Sequence, residues 1–152
     1  MRGVREPGRL VIGLALLLTG CNSDKPEPAV VDLPAAGYRL TVTRLATHPF
    51  LARFRLILHI ERPSGCSATV ELFPDTGYVG RRNLYHHPSG SLLVLGQYDA
   101  RVIESEACVI RLVEFRSLEP GATFLGSFDV DHEKRWRYLP ASARAERPFD
   151  IR

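Results

Sequence analysis

Ala52-Arg53-Phe54-Arg55-Leu56-Ile57-Leu58-His59-Ile60-Glu61 alternates apolar and polar residues. Ala52, Phe54, Leu56, Leu58 and Ile60 share one face. Arg53, Arg55, His59 and Glu61 share the other, and only Ile57 is out of place. A helix, with period 3.6, would scatter these side chains around its circumference, whereas a strand of period two sorts them into a buried and a wet face.

The same alternation recurs on both sides. Upstream, Tyr38, Leu40 and Val42 oppose Arg39 and Thr41. Downstream, the turn Arg62-Pro63-Ser64-Gly65 leads into Cys66, Ala68, Val70 and Leu72, which oppose Ser67, Thr69 and Glu71. Pro74-Asp75-Thr76-Gly77 supplies the next turn, because proline presets one dihedral and glycine tolerates positive φ. Residues 91–104 hold two short strand candidates around Gly96, the second with Tyr98, Ala100 and Val102 on one face. Cys108 to Phe115 is apolar on both faces, the pattern of a central strand. Phe124, Gly126, Phe128 and Val130 form another inward face; Trp136, Tyr138 and Leu139 and then Phe149-Asp150-Ile151 offer two more strands. Phe54, Tyr98, Phe124, Phe128 and Trp136 read as core. Residues 78–90, with Gly80, Arg81, Arg82, His86, His87, Pro88 and Gly90, read as the longest irregular stretch, and long loops in compact domains are often functional.

Short alternating strands separated by Pro/Gly turns, with no amphipathic helix and no internal repeat, give an all-β chain and a single antiparallel β-sandwich over residues 37–152. Leu118-Glu119-Pro120-Gly121 before a strand is similar to turns in bacterial immunoglobulin-like modules, a similarity spanning residues 38–130. It implies an immunoglobulin-like sandwich. The Cys…Trp…Cys spacing of true immunoglobulin domains is absent, since Trp136 follows both Cys66 and Cys108.

The amino-terminal segment has a different grammar. Arg2, Arg5 and Arg9 precede the apolar run Leu10 to Leu18, which has about half the roughly 20 residues a spanning helix needs. Leu18-Thr19-Gly20-Cys21 follows and resembles the lipobox of bacterial lipoproteins. The resemblance covers residues 1–21. It implies a signal peptide over 1–20, cleavage before Cys21, a diacylglyceryl group on the Cys21 sulfur and an acylated new amino terminus. Such multiple acyl chains anchor a protein stably, where one chain holds it marginally. In Gram-negative members an aspartate after the cysteine favours the inner membrane. Asn22 stands here, so the resemblance favours the outer membrane, facing the periplasm, over the inner membrane or the cell surface. Residues 21–36 carry Pro26, Pro28 and Pro34 and read as the lipidated terminus and an extended tether that holds the domain clear of the lipid.

That segment changes two further readings. The signal carries three arginines and one glutamate, so only one unit of the chain's net charge of +3 remains in the mature protein, and no basic stripe suggests nucleic acid. With Cys21 taken by lipid, Cys66 and Cys108 remain in an oxidising compartment and read as a disulfide, the alternative being two buried free thiols.

Candidate chemistry is sparse. His86-His87 beside Arg81 and Arg82 suggests a metal or proton-transfer site, although adjacent histidines on an extended chain point apart. Asp129, Asp131 and Glu133, with His132 among them, have the alternate spacing that can converge on calcium, or that keeps a hairpin tip in water. No Gly-x-Ser-x-Gly elbow occurs. Arg39, Arg53, Arg55, Arg81, Arg82, Arg101, Arg111, Arg135 and Arg137 predict an arginine-rich exterior suited to carboxylates and phosphates. The sequence assigns no catalytic residue, cofactor or metal ligand. Its leading expectation is a non-catalytic, periplasm-facing lipoprotein, held by lipid on Cys21, whose sandwich binds a macromolecular partner in an assembly, inhibitor or immunity-type role. The alternative is a small envelope enzyme or metal-binding protein using His86, His87, His132 and nearby carboxylates. Replacing Cys21 by serine tests the anchor: membrane fractionation should shift to an uncleaved or soluble form, and an unchanged membrane-bound protein contradicts lipidation.

Overall fold

In the computed structural model, residues 25–77, 80–114 and 121–149 are described. The expected signal and lipobox-like residues with Cys21, the turn residues 118–120 and the end of the strand expected at 149–151 lie outside them. The described residues form ten strands and no helix. They are β1 (Glu27–Leu33), β2 (Tyr38–Ala46), β3 (Phe54–Glu61), β4 (Ser67–Asp75), β5 (Arg82–His86), β6 (Leu92–Leu95), β7 (Ala100–Ile103), β8 (Ile110–Val113), β9 (Thr123–Val130) and β10 (Trp136–Pro140).

Two antiparallel sheets result, β1-β2-β3-β4 and β10-β9-β5-β6-β7-β8. The inward residues Leu40, Val42, Leu56, Leu58, Ile60 and Leu72 of the first meet Leu84, Leu92, Val94, Ile103, Phe128 and Trp136 of the second in one sandwich-like core. The alternation of β3 is observed as read: Leu56, Leu58 and Ile60 are fully buried, while Arg55 and Glu61 are exposed. Along the edges β1 lies against β10 and β4 approaches β8. The first sheet is a plain meander, and in the second a four-strand meander β5-β6-β7-β8 is followed by β9, which crosses back to pair with β5. This order differs from the immunoglobulin pattern, in which the second and third strands belong to opposite sheets.

Several expectations need correction. Residues 27–33, read as tether, are a strand paired with β2 from Glu27↔Arg44 to Leu33↔Tyr38, with Ala29 buried. The prolines misled because an edge strand tolerates them where a central one does not. Within residues 78–90, Arg82–His86 is no loop but an interior strand between β9 and β6. The apolar run at 108–115 yields β8, an edge strand with Leu112 63% exposed, because apolar faces do not report whether a neighbour is hydrogen-bonded alongside. Tyr98, read as core, is 59% exposed in the β6–β7 turn.

Arg82 is the last correction. Expected outside, it is 1% exposed. Its guanidinium donates to the carbonyl of Phe73 in β4 and to those of Gly80 and Arg81, and it sits 3.5 Å from the Asp99 carboxylate. Asp99 in turn accepts from the Phe73 amide at 3.0 Å. The cation thereby ties both sheets together, and the room for it depends on Gly96, where a Cβ would come within 2.7 Å of Arg82 and Asp99. At the far end of the sandwich, Cys66 and Cys108 are joined, with Cα atoms 5.9 Å apart. Cys66 precedes β4 and Cys108 precedes β8, so the disulfide clips one sheet to the other.

Replacing both cysteines by serine should lower unfolding stability by about 4 kcal/mol, the chain-entropy value for a closed loop of this size. Chemical denaturation checks it. A loss under about 1 kcal/mol would show that the hydrogen bonds at that end suffice without the crosslink.

Candidate functional site

The sandwich has two chemically different ends. The near end, where Lys25 leads into β1, gathers the β2–β3 loop, the β4–β5 connection, the β6–β7 turn and the β9–β10 hairpin. A cleft of about 710 Å³ opens there, lined among others by Arg44, Phe54, Arg81, Lys134, Trp136 and Arg147. Arg44 lies 4.2 Å from the Phe54 ring centroid and 5.3 Å from that of Trp136, and pairs with Glu27 at 2.6 Å. The buried Trp136 indole donates across to the Val42 carbonyl, which fixes this wall. Lys134 enters the cleft because Asp131 closes the hairpin: its carboxylate accepts from the amides of Glu133 and Arg135, and Lys134 takes the left-handed φ of 60°. The Arg135 amide, first of all, holds the Asp131 carboxyl below its ordinary range.

Arg81 stands over the Phe149 ring at 4.4 Å and donates to the Pro148 carbonyl. Burial, and then the charge of Arg147, lower its pKa. Among the described residues no carboxylate lies within ion-pair distance of Arg81 or Lys134, whereas Arg144 and Arg147 both hold Asp129, at 2.7 and 2.6 Å. Asp75 and Asp129 also line the cleft, and with Arg81 and Lys134 outside ion-pair distance of both, a phosphate or carboxylate entering it would meet two cations.

Residues 141–149 return along the outer face of β5 and β9 and build one wall of this cleft. Tyr85 donates to Glu146 at 2.8 Å, and Asn83 donates to the Arg147 carbonyl at 3.0 Å. This strap explains why Asn83, Tyr85, Ser127 and Asp129 are polar and yet buried.

At the disulfide end an open groove of about 510 Å³ runs between the β1–β2 and β3–β4 turns. Leu33, Pro34, Tyr38 and Pro63 give it an apolar lining, and Asp32, Arg39, Glu61 and Arg62 charge it. The Tyr38 hydroxyl reaches the carbonyls of Glu104 and Ala107, at 2.7 and 2.6 Å, and Arg62 covers the Tyr38 ring while donating to the Ser105 carbonyl. The lining is thus braced from the opposite sheet.

The histidines do not converge. His86 and His87 lie at the disulfide end of β5, where His86 pairs with Thr123 at the start of β9. His132 lies beyond the opposite end of β9, with an 87% exposed side chain. His87 is engaged locally, its Nδ1 within 2.7 Å of the Ser89 hydroxyl. Asp129, Asp131 and Glu133 are each neutralised by arginine: Asp129 as above, Asp131 by Arg135 and Arg137, and Glu133 by Arg135. Among the described residues no three His, Cys, Asp or Glu side chains are grouped to hold a metal ion. Of the arginines expected outside, Arg39, Arg55, Arg111, Arg135 and Arg137 pair with carboxylates on the surface, and only Arg81 contributes to the cleft. Sequence reasoning passed over Arg44, Lys134, Arg147 and Phe149; the one available signal was the density of cations near the turns. Comparison of the chain with protein-family models, with curated proteins and with solved structures finds no match.

Tyr85 provides a pH test of the strap. Burial foremost, and then its bond to Glu146, push its pKa up to about 12 from 10. The neutral phenol is thus favoured by folding, so its contribution is complete below pH 10 and is lost as pH rises towards 12. Amide exchange across 141–149, relative to the hydroxide-catalysed rate of an unprotected peptide, should accelerate over that window, and Tyr85→Phe should remove that excess. An unchanged pH profile in Tyr85→Phe contradicts the assignment.

Proposed function

We propose that this chain is a lipid-anchored envelope protein, held through acylated Cys21 at the outer membrane and facing the periplasm, whose β domain is a non-catalytic module for binding a macromolecular partner. The observation that carries the reading is the braced groove at the disulfide end, at the opposite end of the domain from the start of β1, the strand that follows Cys21. An apolar floor with a charged rim is the anatomy of a protein contact, in which the centre excludes water and the rim sets register. Rigidity matters as well, because a surface already held in shape spends less entropy on binding. Asp32, Arg39 and Glu61 form the rim, and Arg39 lies 3.4 Å from Asp32 and 3.7 Å from Glu61. The competing enzyme or metal reading required His86, His87 and His132 in one pocket, and their separation to opposite ends removes that support.

A photo-crosslinker placed at Pro63 in the groove, with a control at His132, tests the reading in envelope preparations. The Pro63 position should give one discrete protein adduct that His132 does not, and Arg39→Glu should abolish it. Adducts of equal pattern from both positions, or none, contradict the proposal.

A further inference from the structure

We propose that the near end of the domain is a lipid-contacting surface, in which Phe50 and Leu51 enter the interfacial layer of an anionic phospholipid bilayer and Lys25 and Arg53 face its phosphates. The inference rests on the anchor reading for Cys21 and adds an orientation to it.

The first observation is the loop. Phe50 is 90% exposed and Leu51 is 49% exposed, side by side at the tip of the β2–β3 connection. They are held there: the His48 Nδ1 accepts from both of their backbone amides, at 3.1 and 3.0 Å, and Thr47 and Arg53 close the loop beneath them. A lone exposed apolar residue needs no explanation. A phenyl ring and an isobutyl group presented together by a closed turn are more than that, and Phe73 and Tyr98, with ring centroids 5.2 Å apart, are also exposed at this end. Phenylalanine and leucine presented beside basic residues bury at the headgroup–acyl boundary, and tyrosine collects at the membrane–water interface.

The second observation is where the chain emerges. Lys25, Pro26 and Glu27 line the same hollow as His48, Pro49, Phe50 and Leu51. Because β1 begins at Glu27 and not beyond residue 36, only five residues separate it from Cys21. A fully extended chain gains at most about 3.6 Å per residue, so the acyl chains sit within roughly 20 Å of this loop. An anchor this short brings the near end to the lipid and leaves the disulfide end facing away.

The third is charge. Lys25 and Arg53 are exposed beside the apolar tip, and Arg81 and Lys134 lack carboxylate partners in the adjoining cleft among the described residues. Basic side chains next to an apolar wedge are attracted by anionic headgroups, and the attraction falls off within a Debye length, about 8 Å at physiological salt, a range that a short anchor enforces.

The test uses the full mature protein with vesicles of phosphatidylethanolamine and phosphatidylglycerol carrying brominated acyl chains. Phe50→Trp places a reporter at the tip, and Val109→Trp places one at the disulfide end, where residue 109 is 41% exposed. Emission of the native, buried Trp136 is recorded in the unaltered protein and subtracted. Interfacial side chains reach about 5–10 Å into the acyl boundary, so the bromines should reduce the emission of F50W at least about twofold relative to unbrominated vesicles and leave that of V109W unchanged. An unquenched F50W reporter, or equal quenching of the two variants, overturns the proposal. The mass of the purified protein reports acylation of Cys21 separately. Acylated protein with an unquenched tip keeps the anchor and rejects the contact, whereas unacylated protein with a quenched tip does the reverse.

Discussion

A guanidinium leaves water at high cost unless the fold replaces most of the hydrogen bonds it gives up, and at Arg82 both terminal nitrogens are given acceptors. Three carbonyls and the Asp99 carboxylate surround it, drawn from β4, the β4–β5 connection and the β6–β7 turn. Each of these must be in position at once, because a half-satisfied buried charge costs several kcal/mol. The requirement fixes the crossing from the first sheet to the second, the tight turn at Gly96 and the place of Asp75 beside Gly80. Arg82 therefore links stretches of the near end that are separate in the chain.

The two ends are held by different means. Arg82 holds the near end and the disulfide holds the far one, with an apolar core between them. The near-end cleft inherits its wall from Trp136, whose indole is tied to Val42, and its cations from elements that already have fixed positions. The far-end groove inherits its shape from Tyr38 and Arg62, both hydrogen-bonded to the β7–β8 connection. Under the anchoring proposed above, this arrangement would present the far-end groove away from the membrane.

Much of the fold was legible because burial writes itself as period two. The inward rows Leu40/Val42 and Leu56/Leu58/Ile60 were read correctly, as were the cysteine pair and the inward Phe128. What failed has particular causes. β1 was hidden by Pro26 and Pro28, which an edge strand accepts. β5 was hidden by Arg82 and Asn83, polar residues whose burial depends on partners distant in sequence. Tyr98 and Leu112 looked like core because alternation cannot distinguish a covered face from an exposed one. The near-end cleft was illegible for a related reason: Arg44, Arg81, Lys134 and Arg147 come from separate regions that only the topology brings together, whereas the adjacent histidines His86 and His87 drew attention and serve no common centre.

The most direct measurement is the unfolding free energy of Arg82→Met, compared with the unaltered protein by chemical denaturation. Methionine keeps the apolar stem and removes the charge, so the carbonyls of Phe73, Gly80 and Arg81 lose their donor, while Asp99 keeps Arg101 at 3.6 Å. If Arg82 organises the near end, stability should fall by about 3–5 kcal/mol. A change below about 1 kcal/mol, with the fold intact, would contradict the claim that the buried cation holds the two sheets together.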